Sequence, residues 1–256
     1  MKSKIEFYAI SFFFLATVYS CNPMKKTSIL PASSSQLLMV ITDSVKAITG
    51  FMYCYERQNN KEWTITGDRI SVMVGRNGLG RGIGLHQASD LSSLPGKMEG
   101  DGKSPAGIFT LSRVFGYASV DQVPGLKMPY IPVTEMTECI DDVKSSHYNQ
   151  VVSREKSEPV DWDSSEKMHL AGVFYELGVV VDHNQNPVTK GCGSCIFLHN
   201  WSDPIVPTSG CTSMAPANLK HIAFWLDKKK NPLIMQLTRQ NYTDLKKKWE
   251  LPEIPL

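Results

Sequence analysis

The stretch Ile196-Phe197-Leu198-His199-Asn200-Trp201, followed across a short loop by Pro207-Thr208-Ser209-Gly210-Cys211-Thr212-Ser213-Met214, decides how the rest of this sequence is read. An apolar run ends at a histidine, and a cysteine preceded by glycine follows after a loop. A cysteine nucleophile needs a base within ~2.6–3.2 Å, because the thiolate rather than the thiol attacks a carbonyl. His199 lies twelve positions before Cys211, a span that a loop readily folds back into contact. Gly210 lets the backbone turn sharply, and successive N–H groups at such a turn can face a developing oxyanion. A buried cysteine beside a hydrogen-bonded core histidine explains the same residues, and both readings stand at this point.

Working outward, short runs rich in β-branched and aromatic residues, bounded by Gly, Asn or Asp, predict strands at residues 36–42, 49–56, 69–75, 107–111, 178–182 and 194–199. Helix signals come late. Pro216 suits a first helical turn, and Leu219, Ile222, Ala223 and Leu226 recur at helical spacing until Asn231-Pro232 stops the run. A strand at 233–237 and a short helix near 242–249 close the chain. No repeat or inner linker is visible, so the expectation is one mainly-β domain from residue 36 to 256, with its few helices mostly C-terminal.

The chain has 256 residues, 42% of them hydrophobic, which excludes wholesale disorder. With 27 Lys and Arg against 25 Asp and Glu it is nearly neutral, which argues against nucleic acid as a partner. The basic runs Lys228-Lys229-Lys230 and Lys246-Lys247-Lys248 read as solvated faces.

Lys2 and Lys4 precede an apolar stretch at residues 7–18, too short for a span of ~20 residues but suited to a signal-peptide core. Cleavage is expected after Ser20. A cysteine at that position, Cys21, is similar to a bacterial lipobox, so Cys21 is the expected lipidation site and residues 21–35, rich in Ser, Pro and Lys, an expected flexible tether. Asn22 after the cysteine, by likeness to diderm lipoproteins, points to the outer membrane facing the periplasm. Five cysteines remain, an odd number, so at least one thiol stays unpaired in an oxidising compartment. Cys192 and Cys195 have CxxC spacing but no second pair with zinc spacing, so Cys195 is read as a buried strand cysteine and no metal or other cofactor is expected.

Two glycine-rich stretches are set aside. Residues 75–84 fit no G-x-G-x-x-G register, and residues 99–107 contain Gly-Lys-Ser without the earlier glycine of a P-loop. His183, in Asp-His-Asn after a strand, competes with His199 as base. Asp141 and Asp142 read as a surface turn, His86, His147, His169 and His221 as surface or structural, and Trp201 as either a sugar platform or a core cap.

The decisive segment resembles the active-site motif of the YkuD-like L,D-transpeptidases: a His, a variable loop, then Ser/Thr-His-Gly-Cys. The Gly-Cys-Thr branch fits best, since Val74-Gly75-Arg76-Asn77-Gly78-Leu79-Gly80, the 99–107 stretch, Cys139-Ile140-Asp141-Asp142, Gly178-Val179-Val180-Val181-Asp182-His183-Asn184 and Gly193-Ser194-Cys195 match it in order. The likeness runs from about residue 36 to 214. It implies a β-rich fold with sandwich- or barrel-like sheets around a cleft. It also implies acyl transfer on peptidoglycan stem peptides through a Cys thioacyl intermediate, giving 3–3 crosslinks or related L,D-linkages, by a monomer that needs no cofactor. By that likeness Cys211 is nucleophile, His199 base, the Asn200 carbonyl the holder of the imidazole tautomer, and the N–H groups at Gly210 and Cys211, with Ser209 beside them, the oxyanion backbone. Trp201, Thr212 and Ser213 are expected to meet substrate. Two departures stand out: Ser209 replaces the motif's second His, and Ser213 replaces an Arg often found two residues after the cysteine. Cys139 and Cys195, both in family-like blocks, are expected to pair. An L,D-carboxypeptidase using the same site and a non-catalytic wall-binding lipoprotein remain alternatives.

Overall fold

The computed structural model describes residues 28–58, 62–157 and 159–255; the expectations on the leader and Cys21 lie outside them. The strands are β1 (Gln36–Thr42), β2 (Thr49–Glu56), β3 (Thr64–Ile65), β4 (Ile70–Met73), β5 (Leu79–Arg81), β6 (Ser104–Gly116), β7 (Tyr130–Pro132), β8 (Thr137–Cys139), β9 (Val151–Ser153), β10 (Glu166–Lys167), β11 (Leu177–Val181), β12 (Phe197–Asn200), β13 (Thr212–Met214) and β14 (Leu233–Thr238). Two α-helices, α1 (Pro216–Trp225) and α2 (Arg239–Trp249), come at the C-terminal end.

Eight strands close a barrel in the order β1-β14-β6-β11-β12-β13-β4-β2, with β2 pairing back to β1. β3 extends β2, and β5 and β7 flank the long β6. Every residue of β1 is buried, because one face points into the barrel and the other is covered by α2. The interior is filled from all sides by residues such as Leu38, Val40, Ile234, Val179, Leu198 and Met214. Each such side chain contributes ~1.5–3 kcal/mol by leaving water. α1 starts at Pro216, whose missing N–H costs nothing in a first turn, and buries Leu219, Ile222 and Ala223 against β11 and β12. α2 is capped by Thr238, whose hydroxyl accepts from the Asn241 N–H at 3.0 Å, and buries Tyr242, Leu245 and Trp249.

A second, three-stranded sheet, β10-β8-β9, lies outside the barrel. The disulfide Cys139–Cys195, with Cα atoms 6.0 Å apart, ties it to the segment that leads into β12. The 3-10 stretch Met168–Tyr175, broken by Gly172 at φ 56°, continues from β10 and covers the outer face of β12. Phe115, Val180 and Phe197 on the barrel's outside meet Met168, Tyr175, Cys139 and Cys211 there in a smaller apolar cluster.

The structure corrects several expectations. Residues 28–35, expected to lie in a flexible tether, pack on the domain: Leu30 is buried in the main core, and Arg57 donates to the Pro31 and Ser34 carbonyls. β12 starts at Phe197 rather than at 194, because Cys195 has φ 54° and is held by its disulfide instead of a ladder. β6 runs well past 107–111 at both ends, since β5, β7, β11 and β14 all pair with it. α1 ends at Trp225, where Leu226 turns extended and Asp227 caps a separate turn over Lys228–Lys230.

Candidate active site

β12 and β13 run parallel, with Leu198 opposite Thr212 and His199 opposite Ser213. Extended by one step, this register sets Cys211 beside Phe197, and the Phe197 N–H does donate to Cys211 Sγ at 3.3 Å. Facing residues of neighbouring strands share a side, and so do residues two apart on one strand. His199 and Cys211 therefore occupy the same outer face, one two-residue step of the pleat apart. Thr212 is turned the other way. It is buried inside the barrel, where its hydroxyl donates to Gln236 Oε1 at 2.6 Å, so the substrate contact expected of it is replaced by a core hydrogen bond.

His199 Nδ1 lies 2.6 Å from the Asn200 carbonyl oxygen. A carbonyl only accepts, so Nδ1 carries the proton and Nε2 keeps a lone pair. The ring is clasped edge-on by Phe174 and Tyr175, and burial pushes its pKa below the ordinary histidine value against the opposing effect of the Asn200 carbonyl. Burial likewise pushes the Cys211 thiol up to about 12, with Glu166 adding to the shift. The resting pair is thus a neutral thiol and a neutral imidazole. The thiol donates to the Cys195 carbonyl at 3.5 Å.

The loop that carries Cys211 is clamped by both glycine-rich stretches. Thr208 exchanges backbone hydrogen bonds with Val74 and Arg76, Gly75 N–H donates to Ser104 Oγ at 2.9 Å, and Ser104 Oγ donates to the Cys211 carbonyl at 2.8 Å. Thr208 Oγ1 donates to the same carbonyl at 2.6 Å and accepts the Gly210 N–H at 3.1 Å. The Gly210 donor expected to face an oxyanion is therefore engaged by Thr208 in this state. Gly210 itself has φ 153°, and a Cβ there would meet the Lys103 carbonyl at 3.1 Å, so glycine is required. The close packing of these loops on one another, not phosphate binding, explains their glycines. Ser209, in the place of the motif's second His, accepts from the Arg76 guanidinium at 2.9 Å.

A cavity of about 270 Å³ opens over the pair, walled by Glu166, Phe174, Tyr175, Trp201, Thr208, Ser209 and Ser213 together with His199 and Cys211. Trp201 lines it, and the Ser213 hydroxyl is buried there without a partner among the described residues.

A model of the YkuD family, described as the L,D-transpeptidase catalytic domain, matches residues 45–235, which include both strands of the site and the barrel strands from β2 into β14, with β1 lying before the match. The chain belongs to that family. As a member it carries the catalytic domain of L,D-transpeptidases, whose activity is on peptidoglycan. No curated protein matches the chain significantly.

The rival histidine serves the fold. His183 is fully buried, accepts the Ile83 N–H at Nδ1 (3.2 Å) and donates from Nε2 to the Cys192 carbonyl (3.0 Å). Asp141 and Asp142 close a turn by accepting from Ser164, Lys144 and Asp163. Cys54 is buried in the core as a free thiol, and Cys192 is half-buried and free. Sequence reading missed Glu166, Tyr175, Phe174, Arg76 and Ser104 at the site. Only Arg76 and Ser104 stood in quoted motif blocks; the others come from a segment with no motif at all.

Proposed function

We propose that Cys211 is the nucleophile and His199 the general base of an L,D-transpeptidase that joins peptidoglycan stem peptides through a thioacyl intermediate. The observation that carries this reading is the shared cavity face of the two side chains, with Nδ1 fixed by Asn200 and Nε2 left without a hydrogen-bond partner among the described residues. In the proposed reaction the thiol leaves the Cys195 carbonyl, gives its proton to Nε2 and attacks the L,D peptide carbonyl. The imidazolium then protonates the leaving D-amino acid. A stem amine next displaces the sulfur, giving a 3–3 crosslink. The Cys211 N–H, next to Gly210, serves in this reading as the backbone donor to the developing oxyanion. Because both partners rest neutral, proton transfer accompanies attack instead of preceding it.

The family's Gly-Cys-Thr branch and the lipid anchor belong to the same proposal. With residues 28–35 packed on the domain, only residues 22–27 would separate a lipidated Cys21 from it, at most about 20 Å of extended chain. The enzyme would then work close to the membrane surface, the outer membrane by the Asn22 reading. Release of a Cys21→Ala variant into the soluble fraction tests the anchor. For the reaction, disaccharide tetrapeptide is incubated with the mature protein and the products weighed by mass spectrometry. Crosslinked dimers are expected; trimmed monomers alone would make it a carboxypeptidase, and no turnover would make it a binding protein.

A further inference from the structure

Glu166 lies on the cavity wall with His199 and Cys211, yet the thioacyl chemistry leaves it without a task. It opens β10 in register with Cys139, so the disulfide that holds the small sheet also holds this carboxylate over the nucleophile. Its neighbour Lys167 faces the opposite way and, with Arg154, is committed to Glu138. Among the described residues no Lys or Arg lines the cavity. The groups around Glu166 are a hydroxyl, a thiol and two acids: Tyr175, which donates to its Oε2, Cys211, Asp141 and Glu99. Desolvation, with Asp141 and Glu99, pushes the carboxyl up to about 7 against the Tyr175 hydrogen bond.

An unpaired carboxylate in a partly dry cavity selects a cation, since a buried charge needs a partner. The aromatic wall of Phe174, Tyr175 and Trp201 adds to that preference, as ring faces attract ammonium groups. The orphaned Ser213 hydroxyl is a second group in the same cavity waiting for a ligand atom. We propose that Glu166 binds the ammonium of the incoming acyl acceptor and takes one of its protons, making that amine a nucleophile. This assignment rests on the Cys211 thioacyl reading. The ammonium gives a proton to the Glu166 carboxylate, and the freed lone pair forms the C–N bond at the thioester carbon. The C–S bond breaks with its electron pair on sulfur. A second proton passes from the attacking nitrogen through His199 Nε2 to that sulfur, and Glu166 releases its proton to solvent.

The test separates the two half-reactions of Glu166→Gln and wild type. Adduct formation with disaccharide tetrapeptide is followed by intact-protein mass, and transfer of the adduct to added muropeptide amine or to water by product analysis. The glutamine variant is expected to form the adduct within about threefold of wild type. Its transfer to the amine should fall by ~10²-fold, the low end for a positioned proton acceptor, with a raised KM for the acceptor and more hydrolysis. Transfer in wild type should rise with pH through an inflection near 7 that glutamine abolishes. Tyr175→Phe, which keeps the carboxylate but removes its hydrogen bond, should move that inflection upward. Equal losses in both half-reactions, unchanged transfer by Glu166→Gln, or an inflection unmoved by Tyr175→Phe would overturn the assignment while leaving Cys211 in place. Absence of any adduct in wild type would overturn the thioacyl reading and this one together.

Discussion

The two ends of the β11–β12 pair each carry a buried histidine, and the rings are used in opposite ways. At one end His183 is fully buried and both nitrogens are consumed, by the Ile83 N–H and the Cys192 carbonyl, while Phe109 packs against it edge-on. Burial, with Lys97 nearby, brings its pKa down to about 4. At the other end His199 is almost as buried, at 8% exposure, but spends only Nδ1. Depth of burial does not separate a structural histidine from a base here. Hydrogen-bond saturation does: a ring with no free lone pair has nothing with which to take a proton.

The comparison breaks most visibly in activity. His199→Ala is expected to lose ~10²–10⁴-fold in turnover of the folded protein, the usual contribution of a placed base and far more than any loss of folded fraction accounts for. His183→Ala should do the reverse: it strands a buried N–H and a buried carbonyl, costs ~1–3 kcal/mol, and leaves the folded fraction active. Paired urea melts and muropeptide turnover on both variants check this. Interchanged outcomes would move the base to His183. Removing Cys139–Cys195 touches both ends, since the Cys195 N–H and the His183 carbonyl share Asn149, while Cys139 stands opposite Glu166 of the cavity wall. The bridge spans 56 positions, so Cys139→Ser with Cys195→Ser should cost ~2–4 kcal/mol in melts and lower turnover by loosening the cavity wall.

The same contrast recurs between two glutamates on paired strands. For Glu138, burial alone would raise the pKa, but Arg154, Lys167, Ser165 and Trp162 bond to the carboxylate and hold it well below the usual range. Its stabilisation is complete above the unfolded carboxyl pKa and fades as pH falls through the lowered folded value. Glu138→Gln should therefore lose ~1–3 kcal/mol at pH ~7 and less in acid. Glu166 has the opposite sign. Between its unfolded value of 4.5 and its folded value of about 7 the native state binds the extra proton, so stability falls as pH rises through that window. Glu166→Gln should melt slightly higher than wild type at pH ~8 and the same at pH ~4. Thermal melts across pH read both effects.

Much of this was legible in the sequence, for reasons the structure makes plain. β1 and β2 match their expected bounds because unbroken apolar or aromatic runs end at Asp43-Ser44 and at Arg57. His199, Cys211 and the Asn200 carbonyl lie within one short segment, so motif spacing reaches them. Thr212 was misplaced although the period-two alternation of a strand already turns it away from Cys211 and Ser213. Glu166 and Tyr175 were invisible: they arrive on a separate sheet and on the 3-10 stretch after it, held by a disulfide between residues 56 positions apart, and no local pattern marks them. The glycine-rich stretches carried a signal whose meaning was tertiary, since their small residues let three loops stack under Cys211.

The central claim is a covalent bond at one sulfur. Wild-type and Cys211→Ala proteins, incubated briefly with disaccharide tetrapeptide and quenched in acid, are to be weighed intact and mapped by peptide mass spectrometry. A wild-type adduct carrying the stem without its terminal D-amino acid, located on Cys211 and missing from the alanine variant, is the predicted result. An adduct on any other residue, or product formation by Cys211→Ala, would contradict it.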